Sequence, residues 1–205
     1  MKVTKLDHSG LILEKNGHKI VFDPVNYGFT IPHLTNVDAI VITHGHGDHF
    51  QLENVVKITT SNPEAKIFTC PEMADQIPHA IAVSAGEVIT LDNFTLEFFG
   101  EQHAEIFPGK PVCQNIGCLV DGSFANPGDS LELPPSKPRL LCVAAAAPWL
   151  KTCEAVDYIN RVSPEFALPI HDAILTPLGQ GFVRNIIKNS SATEIVLEPG
   201  ESYEF

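Results

Sequence analysis

Apolar positions along the chain follow two rhythms, and the switch between them predicts the elements. Runs of four to seven residues rich in Val, Ile, Leu and Phe predict strands. These cover Lys2–Leu6, Gly10–Glu14, His18–Phe22, Asp38–Ile42, Ala65–Thr69, Glu87–Thr90, Phe94–Gly100, Gly117–Asp121, Leu140–Ala146, Phe166–Ile170 and Glu194–Leu197. The first two form a hairpin-like pair through Asp7-His8-Ser9, and Asn16-Gly17 is a two-residue turn signal before the third. Apolar residues at 155, 156, 159 and 162 mark one buried face of a helix over Thr152–Val162. Further helices are expected at Gln51–Thr59, at Pro71–Ile77 with proline in its first turn, and at Pro177–Lys188 despite Gly179 and Gly181. Residues 25–37 have no clear period, and the four prolines of "ANPGDSLELPPSKPR" predict an irregular loop. Strand-rich stretches interspersed with helices predict an α/β protein with two sheets and helices outside them, a four-layer αββα sandwich.

Composition narrows the picture. A chain of 205 residues suits one domain spanning 1–205, with a substantial core. The formal net charge of −12 and the lack of a Lys/Arg run exclude the basic footprint that nucleic acid requires. No run reaches membrane-spanning length, and "MKVTKLDHSG" lacks the apolar stretch of a signal peptide. The five cysteines form no CxxC pair, which predicts reduced thiols in a cytoplasmic protein, though one or two could serve as ligands.

Candidate chemistry concentrates in "THGHGDH", Thr43–His49, directly after the apolar run "DAIVI". Glycines at 45 and 47 let the backbone turn sharply, so His44, His46, Asp48 and His49 can converge beyond the strand end. Imidazole nitrogen and carboxylate oxygen are ligands that Zn²⁺ and its first-row neighbours prefer, so the cluster reads as a metal site. Three later polar residues also follow strands: His103 after "LEFFGEQ", Asp129 in "NPGDS" and His171 after "FALPI". The combined five His and two Asp suffice for two metals.

The ordered set HxHxDH, His, Asp, His resembles the metallo-β-lactamase fold hydrolases, over about Leu6 to Leu197. Within that superfamily the chain looks like the branch of small cytoplasmic metal-dependent hydrolases that includes the ascorbate-6-phosphate lactonase. The matching segments are His8-Ser9-Gly10, Phe22-Asp23-Pro24, Gly128-Asp129-Ser130 and Leu168-Pro169-Ile170-His171. The resemblance implies an αββα sandwich with a binuclear site at one edge of the sheets. It implies that His44, His46 and His103 hold one metal, that Asp48, His49 and His171 hold the other, and that Asp129 bridges them. Ribonuclease-like members continue HGDHxxGL where this chain reads "HGDHFQLEN", which agrees with the acidic charge. Several lactonases carry a tyrosine near the last metal histidine, where Asp172 and Ala173 stand here; Tyr27 could reach the site from its loop.

Two divalent ions per chain are therefore expected, with zinc first and manganese or iron fitting the same donors. The expected reaction is hydrolysis of an ester, lactone or phosphodiester of a small molecule by water activated between the metals, with Asp48 orienting that water and taking its proton. Rival readings are a di-iron redox member of the superfamily and a metal-stabilised binding or regulatory protein without turnover. An assembly of identical subunits stays open. Asp23 is expected to orient a ligand imidazole, whereas His8 either donates to a carboxylate, touches substrate or makes an ordinary outer hydrogen bond. His33 is left with a substrate-loop contact at most, and His18 is read as a solvated turn residue. Phe98, Phe99 and Trp149 are read as core by residue type.

Overall fold

Fourteen strands and four helices make up the chain in a computed structural model that describes residues 1–205. The first sheet contains β1 (Lys2–Lys5), β2 (Leu11–Lys15), β3 (His18–Phe22), β4 (Val37–Ile42), β5 (Lys66–Thr69) and β6 (Ala80–Ala82). It is closed at one edge by β14 (Ser202–Glu204), giving the order β14-β1-β2-β3-β4-β5-β6. The second sheet contains β7 (Val88–Thr90), β8 (Thr95–Phe99), β9 (Gly117–Val120), β10 (Phe124–Asn126), β11 (Leu140–Ala144), β12 (Phe166–Ile170) and β13 (Thr193–Glu194). Its order is β13-β12-β11-β10-β9-β8-β7. Each sheet is antiparallel on one side and parallel on the other: β3 to β6 run parallel in the first, β10 to β13 in the second.

Alternation of side chains explains how the second sheet serves two layers. Phe98, Leu140, Cys142 and Leu168 point into the core between the sheets, where Phe22, Phe68 and Phe124 join them. Their neighbours Phe99, Leu141, Val143 and Ala167 face the opposite way, against helices α3 (Thr152–Val162) and α4 (Pro177–Ile187). Because the side-chain period of a strand is two, one apolar run can line both layers. Helix α3 buries Ala155, Tyr158, Ile159 and Val162 on that face, each large aliphatic contributing about 1.5–3 kcal/mol. It ends where Ser163 turns left-handed at φ 54° and returns its amide to the Ile159 carbonyl. The first sheet is covered by α1 (Leu52–Ser61), through Val55 and Ile58, and by the short α2 (Pro71–Ala74). The expected single-domain αββα sandwich is the observed architecture.

Several local expectations are corrected. The helix from Pro71 stops at Ala74, where the chain turns into β6, a strand too short and too exposed for periodicity to reveal. β10 claims Ala125 and Asn126 from the proline-rich loop, since the first proline, Pro127, falls just beyond its end. The expected closing strand at 194–197 is reduced to Thr193–Glu194; Ile195 and Leu197 are buried in extended chain outside the ladder. β14, three residues of mixed polarity, gave no apolar signal. His18 is not a free turn residue: it opens β3, half-exposed, with Nδ1 3.0 Å from Asp38 Oδ1. None of the five cysteines is bonded to another.

Candidate metal centre

The polar residues singled out above all lie just past strand ends on one rim of the sandwich. β4 leads into Thr43–His49, β8 into His103, β10 into Asp129 and β12 into His171, while Asp23 follows β3 and His8 sits in the β1–β2 turn. The rim is built tightly. Gly128 has φ +62°, and a Cβ there would meet Asn115 Oδ1 at 2.4 Å and Thr43 Cβ at 2.8 Å, so only glycine lets the Asp129 loop lie against the His44 loop. Asp23 and His171 are non-glycine residues at φ 41° and 66°, a conformation uncommon outside special sites.

The imidazoles are held from outside. His49 has Nδ1 2.8 Å from Asp23 Oδ2, His171 has Nδ1 2.7 Å from the Ala146 carbonyl, and His103 Nδ1 meets the Ala104 carbonyl. Thr43 donates its hydroxyl to Asp23 Oδ2 at 2.8 Å and its amide to Oδ1 at 2.8 Å, leaving its oxygen to accept from His44 Nδ1 at 3.1 Å. With the outer nitrogens committed as donors, the inner ones carry free lone pairs. Nε2 of His49, His103 and His171 and Oδ1 of Asp129 are buried and lack any hydrogen-bond partner.

These atoms converge. His44 Nε2 and His46 Nδ1 are 3.1 Å apart, and His44, His46 and His103 offer donor atoms within 4.8 Å of one another. The Asp129 carboxylate sits at the centre, with Oδ1 3.2 Å from His49 Nε2 and Oδ2 3.3 Å from both His103 Nε2 and His171 Nε2. Asp48 Oδ2 lies 3.2 Å from His171 Nε2. Two further groups of this kind are His44, His49 and Asp129, and His8, Asp48 and His171.

Electrostatics agree with a site built for cations. Burial opposes charge on His49, but Asp129 and Asp23 outweigh it and push its pKa up to about 10. Burial likewise opposes charge on His171, yet the Asp129 and Asp48 carboxylates beside its Nε2 push it up to about 9. Burial would raise Asp129 and Asp48, but the surrounding histidines hold both well below the usual carboxylate range. His44, His46 and His8 are lowered, chiefly by burial. Without a cation the carboxylates therefore draw protons onto His49 and His171, and a metal ion would take the place of those protons. Buried inward nitrogens without partners, arranged around one carboxylate, fit divalent ions of the zinc, manganese or iron type.

All nine residues singled out in the sequence are in this cluster. Sequence reasoning missed others. Trp149, read as core, is half-buried at the site and donates Nε1–H to Asp129 Oδ2 at 2.9 Å, with its ring 5.8 Å from that of His103. Its place after the β11 strand end was the available signal. Asn115 accepts the Asp129 amide at 3.0 Å and donates to the Pro127 carbonyl; nothing in "CQNIG" announces this. Tyr27 does reach the rim, its ring 5.1 Å from that of His8. His33 and His79 do not take part; His33 is exposed beside Ser61.

Comparison with known proteins places these features. The family described as Beta-lactamase superfamily domain matches residues 2–171. Protein Rv0786c of Mycobacterium tuberculosis is 35% identical over 98% of both chains. A UPF0173 metal-dependent hydrolase of Aeropyrum pernix is 27% identical over 100% of this chain and 97% of its own. Among solved structures, the metallo-beta-lactamase fold protein YhfI of Bacillus subtilis superposes with a TM-score of 0.74 at 16% identity, covering 98% of each chain. No helix is long and apolar enough to cross a membrane. With the family match spanning most of its length, from β1 through His171, this chain belongs to the beta-lactamase superfamily and has the metallo-β-lactamase fold.

Proposed function

We propose that the protein is a metal-dependent hydrolase that holds two divalent cations and cleaves an ester, lactone or phosphodiester of a small molecule. The observation that carries this reading is the ring of buried, unpartnered nitrogens around Asp129. His44, His46 and His103 would hold one ion, Asp48, His49 and His171 the other, and Asp129 both. When bound, such a pair would supply Lewis acidity and a water acidic enough to ionise at about pH 7.

The chain's own residues do the rest. Asp129 is 3% exposed and enclosed by His49, His103 and His171, whereas Asp48 is 28% exposed, so Asp48 is the carboxylate that can orient a water and accept its proton. Trp149 draws on Asp129 Oδ2 and fixes the carboxylate plane. The cleft beside His46 and His103 is lined by Ile106, Pro111 and Val112 with Lys110 as its cation.

The test is to load metal-free protein with zinc, manganese or iron, count metals by elemental analysis, and assay esters, lactones and phosphodiesters. Two metals per chain with metal-dependent turnover supports the reading. Two metals with no turnover across the panel makes the site a structural or regulatory one. Iron with a visible absorbance band and oxygen consumption makes it a redox centre.

A further inference from the structure

The His8-Ser9-Gly10 turn converges on Asp48. Ser9 donates its hydroxyl to the Asp48 main-chain carbonyl at 2.5 Å. His8 places Nε2 3.7 Å from Asp48 Oδ2, and its side chain is 0% exposed. Gly10 has no room for a side chain, since a Cβ would lie 3.1 Å from the Asp23 carbonyl and 3.2 Å from Leu6 Cβ. The turn is itself anchored. Asp7 Oδ1 accepts the His8 amide at 3.0 Å, and the His8 carbonyl accepts the His171 amide at 2.7 Å.

One further bond decides what His8 is. The amide of Ala173 donates to His8 Nδ1 at 3.2 Å. A backbone N–H can only donate, so Nδ1 must present its lone pair, and a neutral imidazole then carries its proton on Nε2. A protonated Nε2 cannot ligate a metal, although His8, Asp48 and His171 lie close enough to form a triplet. That N–H is buried and has no partner. The acceptor it faces is the Asp48 carboxylate, and 3.7 Å is too long for a hydrogen bond. Asp48 is the more exposed of the pair, so a small rotation of its carboxylate closes the gap, as catalytic hydrogen bonds tighten when a site is filled.

We propose that His8 is a positioning residue: it donates Nε2–H to the Asp48 carboxylate, with its tautomer set by the Ala173 amide, and is not a metal ligand. Ser9 and His8 thus grip the main chain and the side chain of one residue. The consequence rests on the hydrolase reading only in its effect on rate, because an oriented Asp48 offers its remaining lone pairs to metal and water in one geometry.

Two variants separate the two nitrogens. In His8→Asn the amide oxygen replaces Nδ1 as acceptor for Ala173 and the Nε2 donor is lost. In His8→Gln the side-chain NH₂ reaches the Nε2 position and keeps the donor. With zinc-loaded protein, His8→Asn should bind as many zinc ions as the parent and lose about 10–100-fold in kcat with little change in KM. His8→Gln should recover most of that loss. Long-range ¹H–¹⁵N correlation of the parent, with and without zinc, should show His8 protonated at Nε2. A lower zinc count in His8→Asn, or an unprotonated Nε2 in the zinc-loaded parent, would make His8 a ligand and overturn the proposal. Equal losses in both variants would reduce the residue to packing, with the same effect. The zinc count and the tautomer decide the matter without turnover, so an absence of hydrolysis would count against the hydrolase reading alone.

Discussion

Asp23 and His49 are joined by a 2.8 Å contact between Oδ2 and Nδ1, and both side chains are fully buried. The second Asp23 oxygen takes the Thr43 amide, so a single carboxylate fixes one imidazole and the start of the loop that carries the others. With both oxygens engaged by the Thr43 amide and hydroxyl and by the outer nitrogen of His49, Asp23 is placed to hold ligands in position. Asp23→Asn should keep both metals and lose affinity or rate by about 10–100-fold. An experimental structure with an Asp23 oxygen bonded to a metal would refute this.

Asp129 faces three inward nitrogens at 3.2–3.3 Å. On the two-cation reading proposed above, a neutral amide is a poor bridge, so Asp129→Asn should lower occupancy of both sites together in elemental analysis. Loss of one metal alone would show that the carboxylate serves a single ion.

His46 Nδ1 points to His44 Nε2 on the less buried side of the cluster. His46→Ala should remove at least one metal and most activity while leaving the far-ultraviolet circular dichroism unchanged, because its side chain is not part of either core. An unchanged metal count would remove His46 from the ligand set.

How far the site could be read from the chain depends on spacing. HxHxDH was legible because four donors fall within one loop directly after an apolar strand. His103, Asp129 and His171 stood out only by their place after strand ends and by the donor count they complete, and their individual roles needed the resemblance to a family, since a lone polar residue after a strand is otherwise ordinary. Trp149 and Asn115 stayed hidden: their partner Asp129 is distant in sequence, and their residue types point equally to packing and to loops. The same limit applied to the fold. β4 and β11 announce themselves as apolar runs, whereas β6 and β14 are three-residue strands held by register with a neighbour.

Lys5 and Asp172 form a buried ion pair at 2.6 Å beside His171, with exposures of 3% and 6%. Breaking it by Lys5→Met leaves Asp172 with the Arg184 guanidinium at 3.6 Å, which is a weaker partner. Urea denaturation should show a loss of about 3 kcal/mol, the lower end for breaking a buried pair. A stability equal to the parent would mean that Arg184 replaces Lys5 in full.

Glu194 in β13 has both carboxylate oxygens buried without a partner, and burial raises its pKa although Lys188 and Arg184 oppose the shift. A carboxyl whose pKa is raised on folding favours the folded state while protonated, and that advantage is lost as pH rises through the folded value. Glu194→Gln should therefore raise Tm at pH 7 and 8 and have little effect near pH 4. A variant less stable than the parent at pH 8 would show that Lys188 and Arg184 dominate.

The main-chain bond between the His171 amide and the His8 carbonyl sets a timetable. The N-terminal turn and the late histidine complete each other, and β1 likewise finds its outer neighbour in Ser202–Glu204. During synthesis, the HxHxDH loop is made long before Asp129 and His171 can meet it, and the edge of the first sheet stays bare for the same interval. A partly made chain has only the His44, His46, Asp48 and His49 donors of that loop. The full donor set is thereby deferred until both sheets have docked, and a chain stalled before that point presents an open strand edge together with loose imidazoles.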